Sequence, residues 1–277
     1  MDFRTVVDVP SPDFRIGPCE SLLFVGSCFA DAIGQRFLEE KFKAIVNPYG
    51  VMYNPASILH TVQKLVTDSA DLKSVKTTFL TLGTNHVYRL KETGEIVDNC
   101  QKRPQSLFQE EELSVDECAD YLQQTVDLLH TQNPEMHIVL TVSPIRYRKY
   151  GYHGSQLSKA ILLLAVDKVI SLHSPLSTLH LNYFPAYEIV NDELRDYRFY
   201  QADMLHPSNQ AVTYIWERLS DTYLSDEAKL FLKEWAPLKA VLNHKPFNPE
   251  SEEYQMLIDK TMLKVGELQK KYPNFAV

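Results

Sequence analysis

Residues Ser21 to Phe37 read SLLFVGSCFADAIGQRF, an apolar run from Ser21 to Val25 that meets an amphipathic pattern through the corner Gly26-Ser27-Cys28. A short, continuous apolar run suits a strand buried on both faces, as in a parallel sheet. At the corner a hydroxyl and a thiol meet the free N–H groups of a helix start. In open α/β sheets ligands bind in the crevice beyond the carboxyl ends of the strands. The stretch therefore points to a nucleophile, and the rest of the chain must supply a base.

Outward from this corner, short apolar runs alternate with longer amphipathic ones, the pattern of βα units around a parallel sheet. Strands are expected at Ser21 to Val25, Thr77 to Leu82, His137 to Val142 and Thr178 to Phe184, with a short one at Ala44 to Val46. Helical spacing covers Phe29 to Phe42, Pro55 to Val66, Ser114 to His130, Gln156 to Leu172 and Pro185 to Arg195. Val87 to Cys100 reads as a hairpin about Thr93-Gly94, an excursion on the carboxyl rim of the sheet. Helices follow at Pro207 to Tyr223, Asp226 to Leu242 and Glu252 to Lys271. The expected organisation is one α/β domain over residues 1–248 with a helical C-terminal extension over 249–277. The last helix has room to pack on the domain or on a second subunit, so a homo-oligomer is compatible with the pattern.

The 277 residues carry 44% hydrophobic and 23% charged side chains, which fits a globular chain with one substantial core. No apolar run approaches the roughly 20 residues of a membrane helix, so no membrane partner is expected. The N-terminus MDFRTVVDVPSPDFRIG lacks a basic segment followed by an apolar one, which leads to the expectation of a cytoplasmic protein. Cys19, Cys28, Cys100 and Cys118 have no C-x-x-C spacing and read as free thiols. The net charge of −8, with no basic cluster, disfavours a nucleic-acid partner.

A candidate base lies in Asp203-Met204-Leu205-His206-Pro207-Ser208. An Asp three residues before a His in a tight loop can accept the imidazole Nδ1–H while Nε2 faces a nucleophile. Alone, D-x-x-H also describes an Asp-capped loop with a surface His. The eight other histidines show no H-E-x-x-H or comparable spacing, so no metal and no cofactor are expected. His86 and His153 are placed on the carboxyl rim as candidate substrate-binding residues. So is Arg146, after the turn Ser143-Pro144-Ile145, where an arginine could hold an acidic or sugar-linked group. Arg195 and Arg198 are expected in structural ion pairs with Glu193 or Asp196. The glycines match neither G-x-G-x-x-G nor a Walker A string, which disfavours nucleotide binding.

Ser27 after the first strand, paired with a late Asp203-x-x-His206, resembles the SGNH/GDSL hydrolase superfamily. Three strings narrow the resemblance: GSCFA at Gly26 to Ala30, VNPYG at Val46 to Gly50, and YFPAYEIVNDELRDYRFYQADMLHPS at Tyr183 to Ser208. Together they are similar to the GSCFA-domain family of bacterial proteins, over about Thr5 to Asn248. The resemblance implies a flavodoxin-like three-layer α/β/α fold with Ser27 as nucleophile, His206 as general base and Asp203 as the residue that orients it. It further implies that the Ser27 and Gly50 amides and Asn85, in Gly83-Thr84-Asn85, donate to the oxyanion. Family members often carry Ala or Ser where Asn85 stands, and a longer segment where this chain has Thr67 to Lys76.

The function implied is a serine esterase that removes an O-acyl group from a small-molecule or carbohydrate ester, such as a cell-envelope metabolite, through an acyl-enzyme. Acyl transfer to a sugar is the close variant. The reading from another class is a catalytically silent module that holds a glycan or a protein, which the short Thr67 to Lys76 segment would favour. Cys28 is the rival nucleophile, since a helix N-terminus lowers a thiol pKa.

Overall fold

The structure is a computed structural model that describes residues 4–98, 100, 102–173 and 180–276. In chain order it places β1 (Ser21–Gly26), α1 (Cys28–Glu39), β2 (Lys43–Val46), α2 (Pro55–Thr67) and β3 (Thr77–Leu82). An antiparallel excursion follows, with β4 (His86–Leu90), β5 (Ile96–Val97) and β6 (Phe108–Glu112), and then α3 (Val115–Gln132), β7 (His137–Val142), α4 (Gly151–Leu172) and β8 (Leu181–Tyr183). The short α5 (Ala186–Glu188) runs into a π-helical turn, Ile189–Leu194, and α6 (Asn209–Tyr223), α7 (Asp226–Leu242) and α8 (Glu252–Lys271) complete the chain.

The main sheet has the order β2-β1-β3-β7-β8, and every neighbouring pair is parallel. Because β1 lies between β2 and β3, the winding reverses there, and the crevice opens at the carboxyl ends of β1 and β3. The two faces of β1 feed two cores, as the period of a strand requires. Leu22 and Phe24, with Phe79 and Val139, pack against Phe37 of α1, Ile215 and Leu219 of α6, and Phe231 of α7. Leu23 and Val25, with Leu80 and Leu140, pack against Ile58 and Val62 of α2, Leu122 of α3 and Val166 of α4. This is the three-layer arrangement that the family resemblance implied.

Several elements differ from expectation. α4 starts at Gly151, well before Gln156, so His153 sits in its first turn and is exposed. α6 starts after Ser208, whose hydroxyl accepts the Ala211 N–H at 3.3 Å, and Pro207 instead bridges to Tyr200. The hairpin pairs Tyr88 with Val97 and Arg89 with Ile96, but β4 also pairs with β6. β6 has the sequence FQEEE, whose charge masks a strand held by backbone bonds along an exposed edge. Of the expected segments, Thr178 and Leu179 in the last strand and Asn99 in the hairpin lie outside the described residues. α8 packs on the domain itself: Val265 and Leu268 join the first core, as do Tyr272, 5.0 Å from the Phe231 ring, and Phe275, 5.5 Å from Trp235.

The segment Thr67 to Lys76 reaches β3 from the N-terminal side. Lys76 donates its N–H to Ser21 O at 2.9 Å, and Asn133 Nδ2 donates to Val75 O at 2.8 Å. Its shortness therefore affects the end of the sheet opposite the crevice.

Two buried features carry consequences for stability. Gly26 has φ +146°, and a Cβ there would lie 2.2 Å from the Thr81 carbonyl oxygen. Lys159 of α4 is 2% exposed, and its Nζ donates to Gly83 O at 2.5 Å; burial lowers the ammonium pKa to about 7.

Gly26→Ala should destabilise the fold by on the order of 3–5 kcal/mol, since backbone must move. At Gly94, where φ is +74° but the space is open, Ala should cost only about 1–2 kcal/mol. Midpoints of urea unfolding compare the two, and equal losses would contradict the steric account. For Lys159, the folded protein releases the proton near pH 7 while the unfolded chain holds it until about 10.5, the ordinary value. Between those values the unfolded chain binds more protons, so this lysine's contribution to stability rises with pH. The unfolding free energy of wild type relative to Lys159→Met should accordingly increase from pH 7 to pH 10, and a flat or falling difference would show that the ammonium is not desolvated.

Candidate active site

The corner after β1 is built by neighbours as much as by its own residues. Gly26 donates its N–H to Asn47 Oδ1 at 2.8 Å, and its carbonyl accepts from Met52 N at 2.9 Å. Asn47 Nδ2 in turn donates to Asp31 Oδ1 at 2.6 Å, which ties the loop after β2 to the first turn of α1. Ser27 is the N-cap of α1: its Oγ accepts the Phe29 N–H at 3.2 Å, and the side chain is fully buried. Cys28, the first residue of the helix, is half-exposed, and its Sγ lies 3.7 Å from Tyr53 Oη.

The Asp203-His206 pair is formed. His206 Nδ1 and Asp203 Oδ2 are 2.6 Å apart, while Asp203 Oδ1 accepts from Leu205 N at 2.8 Å and His206 N at 3.0 Å. Those backbone donors, then the imidazole, pull the Asp203 pKa down to about 2, so the carboxylate stays ionised at any ordinary pH. The loop that carries the pair is pinned on both sides. Gln201 N donates to His206 O at 2.8 Å, Ser208 N to Phe199 O at 2.8 Å, and Met204 takes φ +60° at the tip.

Arg146 belongs to this clamp. Its guanidinium donates to Met204 O, its N–H to Leu205 O at 3.2 Å, and its plane lies 4.4 Å from the Tyr200 ring centre and 5.1 Å from that of Tyr152. A substrate-binding role was expected from sequence; Arg146 holds the His206 loop and also lines a cavity of about 230 Å³ with Arg195, Tyr197 and Tyr200.

His206 lines a cavity of about 460 Å³ with Cys28, Phe29, Arg36, Ile145 and Gln201. A second cavity, of about 300 Å³, is lined by Tyr53, Thr84, His86, Tyr88, Tyr147 and Tyr150. Ser27 lines neither, since its side chain is fully buried. His86 stacks on Tyr150 at 3.5 Å, with Nδ1 3.4 Å from Glu110 Oε1, and burial lowers its pKa. His153 lines neither cavity.

The three expected oxyanion donors are engaged elsewhere. Ser27 N–H donates to Thr81 O at 3.1 Å, and Gly50 N–H closes a turn on Asn47 O at 2.8 Å. Asn85 is fully buried, with Nδ2 donating to Leu113 O at 2.8 Å and its backbone N–H to Ser158 Oγ at 3.1 Å, so it anchors the segment after β6. The Gly83 and Thr84 N–H groups both donate to Tyr53 O at 2.8 Å. Reading the strings alone missed Asn47, Tyr53, Tyr147 and Lys159. The Asn in VNPYG was visible, but its bond to Gly26 depends on the β1–β2 pairing.

Of the expected ion pairs, Arg198 meets Asp196 at 3.1 Å, whereas buried Glu193 accepts from Tyr214 Oη and Val7 N and lies 3.8 Å from Arg218. Among the described residues Asp13, His137 and His180 have ligand-type atoms within 4.8 Å of one another, a grouping that sequence spacing could not show. It lies at the N-terminal ends of β7 and β8, the far end of the sheet from His206, and Asp13 is already 3.4 Å from His180 Nδ1.

Among solved structures, a carbohydrate esterase family 3 protein from Talaromyces cellulolyticus shares 9% identity and a TM-score of 0.43, covering 78% of this chain and 99% of its own. An acetyl-xylooligosaccharide esterase from Geobacillus stearothermophilus shares 11% identity and a TM-score of 0.43, covering 76% and 96%. Both likenesses are too distant to say anything of this chain's substrate. No curated protein matches. The model of the GSCFA family matches residues 21–73 and 67–219, and that of the GSCFA domain protein's C-terminal domain matches 235–277. With most of its length matched in this way, the chain belongs to the GSCFA family.

Proposed function

We propose that this protein is a serine hydrolase of the SGNH type that cleaves O-acyl esters. The observation that carries the reading is the Asp203-His206 pair at 2.6 Å, its carboxylate ionised and its loop locked beside the residue that follows Ser27. Asp203 holds the Nδ1–H tautomer, which leaves Nε2 as the base. Ser27 Oγ attacks the acyl carbon while His206 takes its proton, and the ester C–O bond breaks as His206 returns that proton to the leaving alcohol. Water then attacks the acyl carbon with the same base, releasing the acid and restoring the serine. An alcohol in place of water gives acyl transfer.

Ser27 at the start of α1 adds the positive end of the helix dipole to this chemistry. Its Oγ becomes reachable when the Cys28 or Tyr53 side chain moves; Tyr53 is already 39% exposed. An O-acyl group on a carbohydrate or cell-envelope metabolite is the substrate class the family resemblance suggests. The silent-module reading loses its motive, because the short Thr67 to Lys76 segment lies away from the crevice. A second reading, with the Cys28 thiol as nucleophile, is favoured by one observation: Cys28 shares the His206 cavity and Ser27 does not.

Hydrolysis of p-nitrophenyl acetate separates these readings. Ser27→Ala and His206→Ala should each lower kcat/KM by at least about 100-fold, while Cys28→Ala should stay within about threefold of wild type. Loss of turnover in Cys28→Ala with retention in Ser27→Ala would transfer the role to the thiol, and equal rates in wild type and both variants would remove the hydrolase reading.

A further inference from the structure

The geometry points to the Tyr147 hydroxyl, with the Cys28 N–H, as the oxyanion hole of this site, an inference that rests on Ser27 being the nucleophile. An acyl-transfer centre needs donors aimed at the developing alkoxide. Here Ser27 N–H, Gly50 N–H, Gly83 N–H and Thr84 N–H all have other acceptors, and the fully buried Asn85 side chain is turned to Leu113 O. Two donors near Ser27 are free of such partners. Cys28 opens α1, so its N–H has no acceptor within the helix, and it follows the nucleophile directly, where hydrolases of several kinds place a donor.

The other donor is Tyr147. Its hydroxyl is buried and, among the described residues, makes no hydrogen bond. It comes within 2.3 Å of the point where a Cβ on Gly83 would stand, and Ser27 Cβ lies 3.4 Å from that same point. Glycine at residue 83 is thus what lets the phenol approach Ser27. A buried O–H without an acceptor is unfavourable, and a negatively charged oxygen arriving beside Ser27 would satisfy it. Burial holds the phenol well above its ordinary pKa, so it is protonated and can donate.

The surroundings keep the hydroxyl in place. Tyr147 N–H donates to Ser155 Oγ at 3.1 Å, and the ring meets Tyr53 edge-on at 6.1 Å between centres. Lys159 Nζ lies 5.1 Å from the Tyr147 ring centre and holds the Gly83 carbonyl. Lys159 is therefore a positioning residue: it fixes the peptide that the phenol rests against and packs its amino group against the ring.

The test is steady-state hydrolysis of p-nitrophenyl acetate by wild type, Ser27→Ala and Tyr147→Phe, with thermal unfolding of each. Tyr147→Phe keeps the ring and removes only an unpartnered hydroxyl, so its Tm should equal or exceed that of wild type. Its kcat should fall about 100-fold with KM within about threefold, the signature of a bond made in the transition state alone. A kcat equal to wild type in folded Tyr147→Phe, while Ser27→Ala is inactive, overturns the Tyr147 assignment and leaves the serine reading standing. Equal rates in wild type and Ser27→Ala overturn both.

Discussion

The carbonyl oxygen of Thr81 occupies the place any side chain at residue 26 would need, and the rest of the site depends on that contact. It lets β1 and β3 stay paired to the last residue of β1, with Gly26 opposite Thr81, so that Ser27 leaves the sheet at its end and starts α1 with no intervening loop. The same abruptness explains why Ser27 is both N-cap and candidate nucleophile. It also explains why Ser27 N–H, bonded to Thr81 O, is withdrawn from catalysis. One steric constraint thus places the Ser27 hydroxyl and engages its amide with Thr81 O.

The Asp203-His206 pair is built from clamped parts. Asp203 and His206 come from a loop with little freedom of its own: backbone bonds from Leu205 and His206 fix the carboxylate, Arg146 binds the tip, and Tyr200 pairs with Pro207 at its base. Near the buried Ser27, the Cys28 thiol meets the Tyr53 hydroxyl and the Tyr53 ring meets Tyr147 edge-on.

Much of the fold was legible in the residues. The run LLFV at Leu22 to Val25 and the matching runs at Phe79 and Val139 are apolar on successive residues because both faces of a parallel sheet are covered. The Asp203-His206 pair was legible because both partners sit three residues apart in one loop. The donors were not. Gly50 and Asn85 stand in the right strings, yet whether an N–H is free depends on which acceptor the tertiary fold brings to it, here Asn47 O and Leu113 O. Tyr147, Lys159 and Gly83 meet only after β3, β7 and α4 are packed, so no local pattern announces them. β6 escaped notice for the converse reason: an edge strand can be polar on every exposed position.

The central claim, that Ser27 is the nucleophile activated by His206, is tested most directly by where a covalent probe lands. After reaction with a fluorophosphonate and tryptic digestion, tandem mass spectrometry of the peptide that carries Ser27 and Cys28 locates the adduct. The account predicts one phosphonyl group on Ser27 Oγ, absent when His206 is replaced by Ala. An adduct on Cys28, or none on this peptide in folded protein, would contradict it.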